Sequence, residues 1–426
     1  MFLFKKIVIN SSLQFIERIL SMGLSFISSI FIIRYFNKTD YGIISYANSY
    51  IAVFSILANL GINSIIIREL VKNKDNSPKL IGTGFFILFI GSILTSVVVI
   101  LSSIIYNPRN ITTILIIFSI TTIINSLSII NNYFQFSIKT SYLAIAMIIQ
   151  DMFDFLSKLL LIKFKCNILV FASQTIISSI ILYSILYYFY LKKLSPQYYW
   201  KIDLKLAKYI LQQSIPLAIS GMMISIYTRI DQIMLMYYYG LTKVAEYNVS
   251  IKLLELVYIF PMILIPNIFP ILIQNFKTSA IKFEILFIKI LRYICLIGFI
   301  ITLLIFILSP YMINLIYGVK YLNAGYFLRY LSLCIIPVFI GVVSSLWQQI
   351  NNLQNKQFYQ TVIGLFICII LNFILIPKYN CYGAIASLVI AQICNAIISP
   401  LFFKQLRPLF YCYIKIFQFK QKVRNE

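Results

Sequence analysis

Residues able to do chemistry are scarce in this 426-residue chain, and the informative ones interrupt long apolar runs. It holds 36 Lys and Arg against 12 Asp and Glu, and no histidine. A His-based general base is therefore excluded. So is a His/Cys zinc site, because Cys166, Cys295, Cys334, Cys368, Cys381, Cys394 and Cys412 form no CxxC pair. These thiols read as small apolar packing residues. No Gly-rich phosphate loop of the Walker type occurs, which argues against direct ATP hydrolysis. No metal or other cofactor is expected.

Charge inside an apolar stretch is expensive and marks a functional candidate. Asp151, Asp154 and Lys158 lie within residues 142–164 at spacings of three and four, which places them on one helical face. Asp154 and Lys158 can pair, leaving Asp151 without an obvious local partner. The group reads either as a self-neutralising structural pair or as a polar, protonatable site for ion coupling, with Glu17 as a further candidate. Arg229 and Asp231 precede the turn near Gly240, and Lys252 and Glu255 follow it. At 1.5 Å per residue all four sit at similar depth, roughly 12–16 Å from the helix ends. Cross-helix pairs Arg229–Glu255 and Asp231–Lys252 are feasible, as a structural clamp or as a gate that opens when an anion competes for the cations. Arg18 and Arg329, near helix ends, suit phosphate through their bidentate fork, although boundary arginines also serve as anchors. Pro216, Pro261, Pro266 and Pro270 remove backbone hydrogen bonds and mark either fixed curvature or a hinge.

The elements that must position these residues are membrane helices. Hydrophobic residues make up 61% of the chain and charged ones 11%, against roughly 25% charged in soluble proteins. That leaves too little charge to coat a water-facing surface. Segments of about 20 apolar residues recur about twelve times. The fold class is thus all-α and transmembrane, with an N-terminal six-helix lobe at 1–191 and a basic connector at 192–208. A C-terminal six-helix lobe follows at 209–402, then a basic tail at 403–426. With the N-terminus inside, roughly 21 basic residues fall on the inner side and about 8 outside, a positive-inside pattern with both termini cytoplasmic. The N-terminus reads as a lead-in to the first span, not as a removed signal peptide. The net charge of +24 sits in short segments between spans, so nucleic acid is not an expected partner. The tail, with Phe410, Tyr411, Tyr413 and Phe417, is expected along the anionic inner leaflet, making membrane lipids a partner. Loops on the outer side are short, so function is expected within the membrane.

The two halves show weak internal similarity: 31–47 can be set beside 234–250, and 161–173 beside 375–387. At 34–70 (ending GINSIIIREL), 229–272 (RIDQIMLMYYYGLTKVAEYNVS and onward), 315–331 (LIYGVKYLNAGYFLRYL) and 372–387 (NFILIPKYNCYGAIAS) the chain resembles the polysaccharide and O-antigen flippase family. That family belongs to the multidrug/oligosaccharidyl-lipid/polysaccharide exporter superfamily. Ala245 and Asn380 depart from the family's more usual glycines. The resemblance implies two pseudo-symmetric lobes around a central cavity. It also implies transfer of an undecaprenyl-pyrophosphate-linked oligosaccharide, such as an O-antigen or capsular repeat unit, from the inner to the outer leaflet. Other polysaccharide-assembly membrane proteins would be partners, and the inner membrane the location. An ion-coupled multidrug or cation exporter of the same superfamily is the alternative. Most of the intramembrane acids, however, have basic neighbours, which favours an anionic substrate. A membrane polysaccharide polymerase fits less well, without histidine or a large outer loop.

Overall fold

The computed structural model describes residues 2–72, 76–193 and 200–416, without the side chains at 2–9, 11, 193, 216, 217, 220, 262–267 and 270. Among the described residues there is no strand. The chain forms two compact units, Met1–Ser225 and Ile226–Glu426. The first contains α1 (Phe2–Tyr35), α2 (Lys38–Asn59), α3 (Ile62–Lys72), α4 (Ser77–Tyr106), α5 (Arg109–Ile124), α6 (Ile129–Phe136), α7 (Thr140–Lys163), α8 (Ile168–Lys193) and the opening half of α9 (Leu204–Tyr239). The second contains the rest of α9 and then α10 (Leu241–Thr278), α11 (Ala280–Tyr317), α12 (Leu322–Leu331), α13 (Ile335–Ile350), α14 (Gln354–Tyr379), α15 (Cys381–Ile393) and α16 (Arg407–Lys415).

Nine stretches of the described residues are long and apolar enough to cross a bilayer. The other three long helices, α7, α9 and α10, are the ones carrying Asp151, Asp154, Lys158, Arg229, Asp231, Lys252 and Glu255. Asp151, Asp154 and Lys158 interrupt the apolar stretch of α7. At 36 and 38 residues, α9 and α10 are each about 55 Å long, so either would extend past an apolar slab of about 30 Å.

The side-chain distribution is inverted relative to a soluble bundle. On α4 the buried face carries Thr83, Gly91, Ser92, Thr95, Ser96 and Ser103, while Leu94, Leu101, Ile104 and Ile105 are exposed. Without a hydrophobic drive between helices in lipid, small residues let backbones approach and leave the large ones to face the tails. Gly91 shows the requirement: a Cβ there would stand 2.8 Å from the Leu57 carbonyl oxygen of α2. The buried hydroxyls are satisfied locally, Thr95 donating to the Gly91 carbonyl at 2.8 Å and Ser96 to that of Ser92 at 2.8 Å.

Several expected spans are interrupted. Leu60 and Gly61, at φ 46° and 64°, separate α2 from α3, and 3-10 turns at Asn125–Ser128 and Ser332–Cys334 separate α5 from α6 and α12 from α13. Irregular backbone survives inside a membrane protein where neighbours satisfy it. Here Thr302 of α11 donates to the Ser332 carbonyl at 3.3 Å. The turn between α9 and α10 is Gly240, at φ 79° and ψ −178°, and that between α14 and α15 is Asn380, at φ 58° and ψ −136°. This positive-φ backbone favours glycine, and Asn380 adopts it with a side chain in place. Its side chain compensates by accepting from the Cys381 N–H at 2.7 Å.

In the connector, Lys192 and Lys193 complete α8, and 194–199 lie outside the described residues. Trp200 packs on Phe85 at 5.0 Å between ring centroids and donates from Nε1 to the Tyr190 hydroxyl at 3.0 Å. The Asp203 N–H donates to Thr83 Oγ1 at 3.0 Å. Asp203 Oδ1 then accepts from the N–H groups of Lys205 and Leu206 at 2.9 and 3.1 Å, capping α9. Those bonds, the one from Leu206 foremost, hold its carboxyl below the usual range.

The tail corrects an expectation. Residues 407–415 form α16, which turns Leu409, Cys412 and Tyr413 into the second unit. Tyr413 is buried, shares a 2.7 Å hydrogen bond with Ser344 and donates to the Ala396 carbonyl at 3.2 Å. It is therefore a packing residue and not a leaflet contact, whereas Tyr411 is exposed. Lys415 pairs with Glu284 of α11 at 2.5 Å, which raises the lysine's pKa. Arg292 Nε caps the α16 end by donating to the Ile416 carbonyl at 3.1 Å. Phe417 lies outside the described residues.

Candidate functional site

Two polar clusters contain most of the expected site residues, one in each unit. In the first unit, α7 packs along α1 and α8. Glu17, Arg18 and Ser21 of α1, Gln150 and Asp151 of α7, and Leu182 of α8 line an open pocket of about 440 Å³. Glu17 and Asp151, 134 residues apart, thus share one pocket with Arg18, and Ser21 lies close enough to Asp151 to share a hydrogen bond. One turn along, Lys158 Nζ stands 2.5 Å from Asp154 Oδ2, the pairing that their spacing suggested. Asp154 also accepts from Gln174 Nε2 at 3.1 Å, which in turn reaches Ser157 Oγ at 2.7 Å. Gln150 donates to Ser178 Oγ at 2.7 Å. Asp154 and Lys158 are therefore tied into the α7–α8 seam, while Asp151 faces the pocket beside Glu17. Two carboxylates and one guanidinium in a partly desolvated pocket can exchange a proton or hold a cation.

In the second unit, the α9–α10 hairpin holds the other cluster. Arg229 Nη2 lies 3.3 Å from Glu255 Oε1, so this cross-helix pair forms. The pair Asp231–Lys252 does not. Asp231, buried, accepts a hydrogen bond from the Tyr247 hydroxyl through Oδ2 and from the Gln232 N–H through Oδ1 at 2.8 Å. Lys252 lies half-buried on α10. Asn248 Nδ2 donates to Gln232 Oε1 at 3.0 Å. Further along α10, Lys243 and Asn323 meet the buried Glu246 at 3.0 and 3.3 Å, and Ser250 donates to the Ala324 carbonyl at 2.7 Å. This hairpin is thus hydrogen-bonded onto α12. A buried carboxylate satisfied by a neutral hydroxyl and an amide needs no cation to hold it, which leaves Arg229 as the basic member of the hairpin's mid-depth ion pair.

Tyr247, Gln232, Asn248, Gln150 and Gln174 were not singled out from the sequence, where only formal charges were followed. A signal was present for the first three. Residues 231 and 247, and 232 and 248, lie almost equidistant from the Gly240 turn, which is where an antiparallel hairpin brings partners together.

The remaining candidates stand apart. Arg329 of α12 belongs to neither cluster. Its guanidinium carbon lies 5.6 Å from the Phe306 ring centre and 5.8 Å from that of Tyr326. Helices α9 and α10 run unbroken through 216, 261, 266 and 270. Pro261 is buried, while the side chains of Pro216, Pro266 and Pro270 lie outside the described residues. Among the described residues no group of three or more Cys, Asp or Glu is arranged to hold a metal ion.

Residues 3–276 match the family described as polysaccharide biosynthesis protein. The chain is 26% identical over 408 residues to the capsular polysaccharide biosynthesis protein CapF of Staphylococcus aureus, covering 93% of this chain and 99% of that one. Its fold is similar to that of the lipid II flippase MurJ in an inward closed conformation (TM-score 0.72, 16% identity, 96% and 92% of the two chains). It is also similar to an inward-facing multidrug resistance MATE transporter of the MOP superfamily (TM-score 0.71, 14% identity, 93% and 95%). The expected fold class, an all-helical membrane protein, is the one observed, and its fold is shared with these structures.

Proposed function

Since this chain belongs to the polysaccharide biosynthesis protein family, we propose that it is a flippase for an undecaprenyl-pyrophosphate-linked oligosaccharide, a capsular or O-antigen repeat unit. It moves this lipid from the inner to the outer leaflet of the cytoplasmic membrane by alternating access, with both termini in the cytoplasm and about twelve spans. The observation that carries the reading is the family match, joined to a capsular relative aligned over almost the whole of both chains.

In this reading the protein is a transporter and catalyses no covalent step. Arg229 is the phosphate-competent member of a gate: a pyrophosphate can take the guanidinium from Glu255 because both are bidentate acceptors. Lys252 adds positive charge for the same anion, and Arg18 offers a phosphate-competent fork within the first unit. Glu17 and Asp151 couple transport to an ion gradient, by taking up a proton or cation in their shared pocket. Asp154 and Lys158 set the α7–α8 seam that holds Asp151 in place. Pro216, Pro261, Pro266 and Pro270 supply the bending positions of α9 and α10. Other polysaccharide-assembly membrane proteins deliver and consume the lipid-linked unit.

The test is deletion of the gene in its native strain. The lipid-linked repeat unit is expected to accumulate on the inner leaflet, with loss of surface polymer, and wild-type protein restores both. Unchanged surface polymer without accumulation defeats the proposal. The MATE-like fold supports one second reading, ion-coupled export of drugs or cations. It predicts cation efflux from the producing cells and no lipid-linked intermediate.

A further inference from the structure

We propose that Arg329 is the centre of a lipid-phosphate binding site on the second unit, built by α11, α12 and α15. Arg329 lies seven residues into α12, about 10 Å along the helix from its start. Ala324, Gly325, Phe327, Leu328 and Leu331 fill the buried side of this short helix. Arg329 is half-buried, its guanidinium carbon 5.6 Å from the ring centre of Phe306 of α11 and 5.8 Å from that of Tyr326. Tyr330 packs edge-on against Phe306 and against Tyr382 of α15, at 6.1 and 5.8 Å between centroids. Tyr326, Tyr330 and Tyr382 keep 40, 43 and 46% of their surface exposed, so the cluster opens outward.

Nε is buried without a hydrogen-bond partner, and no acceptor is found for the rest of the guanidinium among the described residues. A guanidinium carries five N–H donors in a plane, and aromatic rings satisfy only its faces. In an apolar helix a cation left this way is costly, several-fold more so than at the surface. Its in-plane edge matches two oxygens of one phosphate. Leu303 and Ile307 of α11, flanking Phe306 in sequence, and Leu333 are exposed, giving an apolar track for the lipid's chains. Lys158 and Arg229, by contrast, each pair with a carboxylate. The ligand is a phosphate ester on a lipid tail, whose source is either the bulk anionic phospholipid or the polyprenyl carrier. Binding at this site does not depend on transport, so it stands apart from the flippase reading.

The experiment is native mass spectrometry of the purified full-length protein titrated with phosphatidylglycerol, undecaprenyl phosphate or, as zwitterionic control, phosphatidylcholine. Wild-type protein is expected to retain a phosphate lipid in preference to the control. Arg329→Gln should weaken that lipid about tenfold, and Arg329→Lys, which keeps the charge without the fork, about threefold. Thermal unfolding of each variant establishes that it is folded. Weakening of undecaprenyl phosphate alone assigns the site to the carrier, and weakening of phosphatidylglycerol alone assigns it to bulk lipid. Affinities for both that are unchanged in the folded Arg329→Gln protein overturn the proposal.

Discussion

Tyr247→Phe isolates the hydrogen bond on which the α9–α10 hairpin turns. The ring is fully buried, so Phe fills the same space and opens no cavity. The lost group is the hydroxyl donor to Asp231, a buried carboxylate whose other oxygen keeps the Gln232 N–H. Hydrogen bonds to charged groups contribute about 1.5–3 kcal/mol. A unit of about 200 residues shifts its Tm by about 2–4 °C per kcal/mol, so Tyr247→Phe should lower Tm by about 3–12 °C. The protein carries its own reporter, since Cys334, Cys368, Cys381 and Cys412 are free, buried and all in the second unit. With the partly exposed Cys166, Cys295 and Cys394 replaced by Ser, a thiol-reactive fluorophore reads the unfolding of that unit. Asp231→Asn should be milder, because an amide oxygen still accepts from Tyr247. The double variant should fall short of the sum of the singles by about 1–2 kcal/mol, the coupling between contacting partners. A Tyr247→Phe protein that melts within 1 °C of wild type, or singles that add without coupling, would refute the claim that Asp231 is held by Tyr247.

Charge reversal tests the hairpin's ion pair: Arg229→Glu and Glu255→Arg should each abolish surface polymer in a complementation strain, and the combined swap should recover part of it. No recovery by a well-expressed swap removes the gate role. In the first unit, Asp151→Asn and Glu17→Gln should each reduce surface polymer at least tenfold at wild-type protein levels, measured by polymer immunoblot, whereas Ser178→Ala, at the seam, should not. Gly91→Leu would force a side chain into the Leu57 carbonyl. Overpacking of this kind costs about 1–3 kcal/mol, seen as lost yield of folded protein in size-exclusion chromatography. The Asp203 cap gives a pH dependence with a defined sign. Its folded pKa lies below the unfolded value, so its contribution is present above the unfolded pKa and disappears as pH falls through the folded one. Amide exchange at Lys205 and Leu206, corrected for intrinsic rates, should accelerate across that acid window in wild type, and Asp203→Ala should show the faster exchange already at neutral pH.

The spans were legible because hydropathy belongs to one segment at a time. The same holds for Asp154–Lys158, fixed by helical spacing, and for Arg229–Glu255, readable from equal depth on two helices joined by a short turn. Depth alone did not choose between Lys252 and Tyr247 as the partner of Asp231. That choice depends on how α9 and α10 are rotated about their axes, and only packing fixes rotation. Helices that are apolar nearly all round carry no stripe to announce it.

The amino-acid sequence by itself determined that this is a helical membrane protein and which charges interrupt its apolar segments. Tertiary structure alone decided that Glu17 meets Asp151 across α1 and α7, that Tyr413 turns inward with α16, and that Arg329 sits among aromatic rings with its Nε buried and unpartnered. The physical reason is that burying an apolar segment in lipid is a local free-energy change set by its own composition. The environment of a charge within it is set by helices far away in sequence, brought close wherever Gly, Ser and Thr allow their backbones to approach.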